Sequence, residues 1–137
     1  MITVLFACVH NAGRSQIAAA LFNQHADPGK ARAISAGTRP ADQVHPEVIA
    51  VMRERGVNLA SQRPQRLTPE LAGTANWLIT MGCGDECPIV PGVGRDDWPI
   101  LDPKGQSPTI VSAIVDDIAA RVGQFIATNG LARSTTA

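Results

Sequence analysis

Two residues six positions apart carry the chemistry of this chain: Cys8 and Arg14, within the segment Cys8-Val9-His10-Asn11-Ala12-Gly13-Arg14-Ser15. A thiol is a strong nucleophile once ionised. A guanidinium offers a planar fork of donors that grips two oxygens of one anion. A short loop joining the two can aim sulfur at the centre of a tetrahedral oxyanion while arginine holds its rim. The residues between them suit that task. Asn11 tolerates left-handed backbone, and its carboxamide can lock a tight loop from within. Gly13 allows a close backbone approach. Ser15 can donate a hydrogen bond to the sulfur. The amides of His10, Asn11, Ala12, Gly13, Arg14 and Ser15 are then the expected binders of the remaining oxygens. The plainer alternative is a buried cysteine at a strand end followed by a capping turn. Asn, Gly and Arg-Ser together in one loop favour the anion-binding nucleophile. The His10 ring has two readings, one that biases thiolate formation and one that merely fills the loop.

Such a loop needs a rigid strand before it and a helix after it, so that the positive helix end faces the anion. Ile2 to Ala7 is apolar but for Thr3, the pattern of a strand buried on both faces of a parallel sheet. Ser15 to Gln24 carries Ile17, Ala20, Leu21 and Gln24 at helical spacing and is stopped by Asp27-Pro28-Gly29. A second strand reads from Ala31 to Ser35. A helix starts near Pro46 and ends at Gly56, and Thr68-Pro69-Glu70 caps a short helix to about Ala72. Asn76 to Met81 reads as the third strand, and Trp98 to Leu101 as the fourth. Ser107 and Pro108 open the last helix, whose stripe is Ile110, Val111, Ile114, Val115, Ile118, Val122, Phe125 and Ile126. Asn129-Gly130 closes it. Alternating strands and helices predict a single α/β domain over residues 1–130, a three-layer sandwich with a four-stranded parallel sheet and helices on both faces. Residues 131–137 are expected to form a flexible C-terminal tail. Ligands of such sheets bind beyond the carboxyl ends of the strands, where Cys8, the loop Gly82 to Gly94 and Asp102 all fall.

Composition excludes several functions. At 137 residues and 45% hydrophobic content the chain can bury a real core. Lysine plus arginine equals aspartate plus glutamate, 12 each, which gives no electrostatic case for nucleic acid or an anionic membrane. No apolar run approaches the ~20 residues of a membrane span. Met1 to Ala7 lacks a basic leader and a cleavage site and reads as a strand, so a cytoplasmic protein is expected. Trp77 and Trp98 read as core or core-edge residues.

Three cysteines, an odd number, do not make a disulfide framework. Cys83 and Cys87 share a loop with four glycines and two prolines. A metal site would need a second pair of ligands, and His10, His25 and His45 follow no ligand spacing, so no metal is expected. Inert buried thiols are one remaining reading and redox-active thiols the other. Asp102-Pro103 reads either as a common turn or as a carboxylic acid placed over the loop.

At Cys8 to Ser15 the chain resembles the low-molecular-weight protein tyrosine phosphatase superfamily and, within it, the thioredoxin-coupled arsenate reductases. Ser35-Ala36-Gly37-Thr38, Gln62-Arg63-Pro64, Thr80-Met81-Gly82-Cys83-Gly84, Cys87-Pro88 and Asp97-Trp98 followed by Asp102-Pro103 extend the likeness to the reductase branch in the same order. The resemblance implies a phosphatase-type anion-binding loop after the first strand. It makes Cys8 the nucleophile, Arg14 the oxyanion binder and Asp102 the general acid. It further implies reduction of arsenate, for which phosphate and sulfate are analogues. In that scheme Cys83 attacks Cys8 and Cys87 resolves Cys83. No cofactor is bound, and an external thiol reductant, thioredoxin or a mycothiol, glutathione or glutaredoxin system, closes the cycle. A phosphatase of the same family is the alternative. Phosphatases of this group place aromatics after the Asp-Pro, whereas this chain has Lys104-Gly105 there and no tyrosine at all. A small bare oxyanion needs no stacking wall.

Overall fold

The computed structural model describes residues 1–82 and 87–133. Strands β1 (Ile2–Cys8), β2 (Ala31–Gly37), β3 (Trp77–Thr80) and β4 (Gly94–Asp97) form one sheet in the order β2-β1-β3-β4, all neighbours parallel. The helices are α1 (Arg14–His25), α2 (Pro46–Glu54), α3 (Pro69–Gly73) and α4 (Pro108–Thr128).

The sheet is covered on both sides. Val4, Phe6 and Cys8 of β1 point into a large core with Ile79, Ile17, Phe22, Met52, Val115 and Ile118, under α1, α2 and α4. Leu5 and Ala7 point the other way, into a smaller core with Ala36, Leu67, Ala72 and Leu78, under α3. The period-2 alternation of the strand therefore explains why β1 shows no polar face. The chain leaves β1 towards β2 on one side and returns to β3 on the other. Cys8 thus ends the strand at which the connections diverge, the place where open parallel sheets leave a crevice.

Side-chain caps start two helices as their sequences suggest. Thr68 Oγ1 accepts the Leu71 amide at 3.1 Å and Ser107 Oγ accepts that of Ile110 at 3.3 Å, each with proline following. Gly56 and Gly130 lie just past α2 and α4 with φ of 81° and 66°, left-handed backbone that glycine adopts freely.

Three expectations differ from the structure. The fourth strand is Gly94–Asp97, just before the expected Trp98 to Leu101. It is an edge strand with three exposed residues, Arg95, Asp96 and Asp97, so hydrophobicity does not mark it. The apolar Trp98 and Ile100 are buried beyond its end, although the Trp98 amide extends the ladder to Thr80 O at 2.8 Å. The apolar stripe of α4 loses its first member, Ile110, which is exposed. The segment expected as a tail begins with packed residues. Leu131 is buried, its carbonyl accepts the Asp27 amide at 2.8 Å, and Ala132 bridges to Ala26. An apolar residue directly after a helix cap has a groove to fill, and here it fills it.

Candidate active site

The loop between β1 and α1 is shaped by its own carbonyls. Those of Cys8, Val9, His10 and Ala12 accept the amides of Thr38, Arg39, Ala41 and His45 at 3.2, 2.8, 2.9 and 2.9 Å. The Asn11 carbonyl accepts Gln16 Nε2 at 3.1 Å, and that of Gly13 accepts the Ile17 amide at 2.9 Å. Six consecutive carbonyls are thus tied outward. None of the amides from Val9 to Ser15 finds an acceptor among the described residues. A run of peptides with bound carbonyls and unpaired amides is a nest for an anion, reinforced by the N-terminus of α1.

Asn11 locks the loop. Its φ of 49° puts it in the left-handed region, and it is fully buried. Its Oδ1 accepts the Gln65 amide at 2.9 Å and Gln16 Nε2 at 3.3 Å, while its Nδ2 donates to Ser15 Oγ at 2.7 Å. That last bond fixes a direction. Ser15 Oγ is an acceptor from Asn11, so its single hydrogen is available to Cys8 Sγ, 2.9 Å away. The sulfur therefore has a hydroxyl donor at its side. Cys8 itself is a free thiol, buried at the end of β1.

Arg14, the first residue of α1, reaches across the carboxyl edge of the sheet. Its Nη1 donates to Ile100 O at 3.2 Å and its Nη2 lies 3.7 Å from Asp102 Oδ2. Gly82, after β3, has φ of 98°, a left-handed backbone that favours glycine, and the guanidinium passes close beside it. At Gly37 the reason is space: a Cβ would lie 2.6 Å from Val9 O and 2.8 Å from Asn11 N. Asp102 stands over the loop with its Oδ1 accepting the Lys104 amide at 3.0 Å. Pro103, buried, packs directly on Gly13, where a Cβ would come within 2.8 Å of Pro103 Cγ.

Cys8, Asn11, Ala12, Gly13, Arg14, Ser15 and Asp102 therefore lie close together at the carboxyl edge of the sheet. The His10 ring meets His45 edge-on at 6.4 Å between centroids. Cys87 is buried and disulfide-bonded. Cys83 lies outside the described residues. Among the described residues no group of three histidine, cysteine, aspartate or glutamate side chains is arranged to hold a metal ion. No helix among them is long and apolar enough to cross a membrane. Trp98 is buried and Trp77 half-buried, both packed in the core around Phe6 and Phe125 rather than at the loop.

The sequence reading missed the segment from Thr38 to Glu47, which wraps the loop. His45 is the clearest case. Its amide holds Ala12 O, and its ring sits against Gly13. Burial pushes its pKa below the usual 6.5, against the upward pull of Glu47 and Asp102. Gln16 and Gln65 were missed for the same reason. Their work is to hold Asn11, and only the folded chain brings them to it.

A strand, a carbonyl-tied loop ending in Arg-Ser, and a carboxylate above it define a class, and the chain belongs to it: residues 3–136 match the low molecular weight phosphotyrosine protein phosphatase family. Its relatives within that family include arsenate reductases. It is 31% identical to arsenate reductase 1 of Bacillus cereus, over 92% of this chain and 95% of that one. It is 32% identical to the glutaredoxin arsenate reductase of Synechocystis, over 90% and 95%. The solved thioredoxin-dependent arsenate reductase of Corynebacterium glutamicum superposes with a TM-score of 0.80 at 39% identity. The match covers 93% of this chain and 61% of that longer one.

Proposed function

We infer that this chain is an arsenate reductase, and that it works through a three-cysteine relay recycled by thioredoxin. The observation that carries the reading is the Ser15 hydroxyl, oriented by Asn11 towards Cys8 Sγ at the floor of a ring of unpaired amides. Arsenate enters with its oxygens on those amides and on Arg14. The Cys8 thiolate attacks arsenic, and one oxygen leaves as water with a proton delivered by Asp102. Cys83 then attacks the Cys8 sulfur. A disulfide forms, and the electron pair of the sulfur–arsenic bond departs with arsenic, which leaves as arsenite. Two thiols have supplied the two electrons that separate As(V) from As(III). Cys87 attacks Cys83 and frees Cys8, and a thioredoxin dithiol reduces the resulting disulfide. Asp102-Pro103 is followed by Lys104-Gly105 rather than by aromatic residues, and the chain has no tyrosine, which fits a small oxyanion. The reaction belongs in the cytoplasm, where both reductant and reduced thiols are maintained.

The test is NADPH oxidation with arsenate, thioredoxin and thioredoxin reductase, run beside hydrolysis of an aryl phosphate. Cys8→Ser abolishes both activities. Cys83→Ser and Cys87→Ser abolish arsenate turnover and leave the hydrolysis. Full arsenate turnover by both loop variants would disprove the relay. Turnover with glutaredoxin and glutathione but none with thioredoxin would disprove the reductant.

A further inference from the structure

The acid that serves the loop is itself loosely held. Asp102 has a side chain about two-fifths exposed, and its 3.7 Å approach to Arg14 is too long for a well-formed hydrogen bond. The turn it begins is closed by internal bonds, Lys104 N to Asp102 Oδ1 at 3.0 Å and Gln106 N to Pro103 O at 3.1 Å. Such bonds shape a turn without placing it. Lys104 and Gly105 are exposed, and Gly105 has left-handed backbone with φ of 72°.

Pro103, packed on Gly13, seats the near end of the turn, and the start of α2 holds its far end. The Gly105 amide donates to Glu47 Oε1 at 3.1 Å. Two residues earlier, His45 gives its own amide to Ala12 O and lays its ring against Gly13, beside Pro103. One short stretch of chain therefore holds the floor of the oxyanion loop with one residue and the acid-bearing turn with another. The groups around it are His10 from the loop, Asp102 and Lys104 from the turn, and Glu47 from α2 itself.

We propose that Glu47 is a positioning residue for Asp102: its carboxylate, held at a fixed distance from the loop by His45, clamps the Gly105 amide and so sets the acid above Arg14. The inference rests on the reading of Asp102 as general acid. Loss of the clamp lets the turn swing outward. Ground-state binding on the amides and Arg14 is unaffected, but the proton donor is misplaced. A displacement of about 1 Å can cost up to ~100-fold in a positioned group, so a fall of roughly 10-fold in kcat is expected, with KM within about twofold.

Four variants test it: Glu47→Ala, Glu47→Gln, Asp102→Asn and the double variant Glu47→Ala/Asp102→Asn. Arsenate turnover is read with thioredoxin, and exchange of the Gly105 amide is read by NMR. Support is a kcat loss in Glu47→Ala, largely restored in Glu47→Gln because the carboxamide oxygen still accepts the amide. Gly105 exchange should accelerate in Glu47→Ala, and the double variant should be no slower than Asp102→Asn alone. The exchange readout is independent of activity and keeps the test sharp if Glu47→Ala is less stable. Asp102→Asn slow but Glu47→Ala unchanged overturns the clamp and leaves the acid in place. Glu47→Gln falling as far as Glu47→Ala also overturns the clamp. Asp102→Asn at full rate overturns the acid and the clamp with it.

Discussion

Ser15→Ala removes the hydrogen bond between a side chain and the sulfur of Cys8, the proposed nucleophile. In the wild type the Ser15 hydroxyl accepts from Asn11 Nδ2 at 2.7 Å and faces Cys8 Sγ at 2.9 Å. Removing it has two consequences. The sulfur loses a donor, and a hydrogen bond to a charged group contributes about 1.5–3 kcal/mol. At ~1.4 kcal/mol per tenfold, the rate of attack by the Cys8 sulfur should fall by about 10- to 150-fold. Asn11 Nδ2, buried, also loses its acceptor, which costs stability of about 1–3 kcal/mol. The two effects separate by what is measured. Hydrolysis of an aryl phosphate, with Cys83 and Cys87 replaced by serine, should slow by that factor, while urea denaturation reads the loss of stability. Hydrolysis at the wild-type rate in Ser15→Ala would refute the assigned direction of the bond. A stability loss well beyond ~3 kcal/mol would show that the loop had collapsed rather than lost a donor.

Three further outcomes follow from the packing and the titration around the loop. Gly13→Ala places a methyl 2.8 Å from Pro103 Cγ, a rigid and buried ring. Such overpacking costs about 1–3 kcal/mol, read as a lower urea midpoint, and should cut arsenate turnover because Asp102 moves with Pro103. His45 has a folded pKa below its unfolded value of 6.5 because burial disfavours the cation. Below pH 6.5 the unfolded chain therefore takes up a proton that the folded chain resists. Stability falls as pH drops through the window between 6.5 and the folded value, and is level below it. His45→Asn should flatten that slope in denaturation curves taken across the window. Leu131→Ala should cost about 2 kcal/mol, since this side chain is buried beyond the last helix, and circular dichroism melts will show it as a lower midpoint.

What the sequence discloses and what it hides follow from the range of the interactions involved. The loop is legible because its chemistry is local. Cys8, Asn11, Gly13, Arg14 and Ser15 lie within eight residues, and the bond from Asn11 to Ser15 is closed inside the loop itself. The two-sided burial of β1 is legible from the continuous apolar run Val4 to Ala7, and the last helix from its cap and stripe. The edge strand Gly94–Asp97 is hidden because a strand paired on one side and open to solvent on the other needs no hydrophobic pattern. Tertiary contact alone also conceals the burial of Leu131, which looks like any residue after a helix stop.

The deeper omission concerns the carbonyls. A sequence reading can name the amides that should bind an anion, but an amide points inward only if its peptide is turned. That turn is set by whatever holds the neighbouring carbonyl. Here the holders are Thr38, Arg39, Ala41 and His45 through their backbones and Gln16 through its side chain. Backbone donors carry no residue signature, so the stretch between β2 and α2 reads as an ordinary connection. Its role also explains the close packing at Gly37, where β2 ends against Val9 O and Asn11 N. A larger residue there would push this segment off the loop, release the carbonyls and let the amides turn away. The nucleophile would remain and the cradle would be lost. The anion site therefore belongs to two connections, one that carries the chemistry and one that orients it.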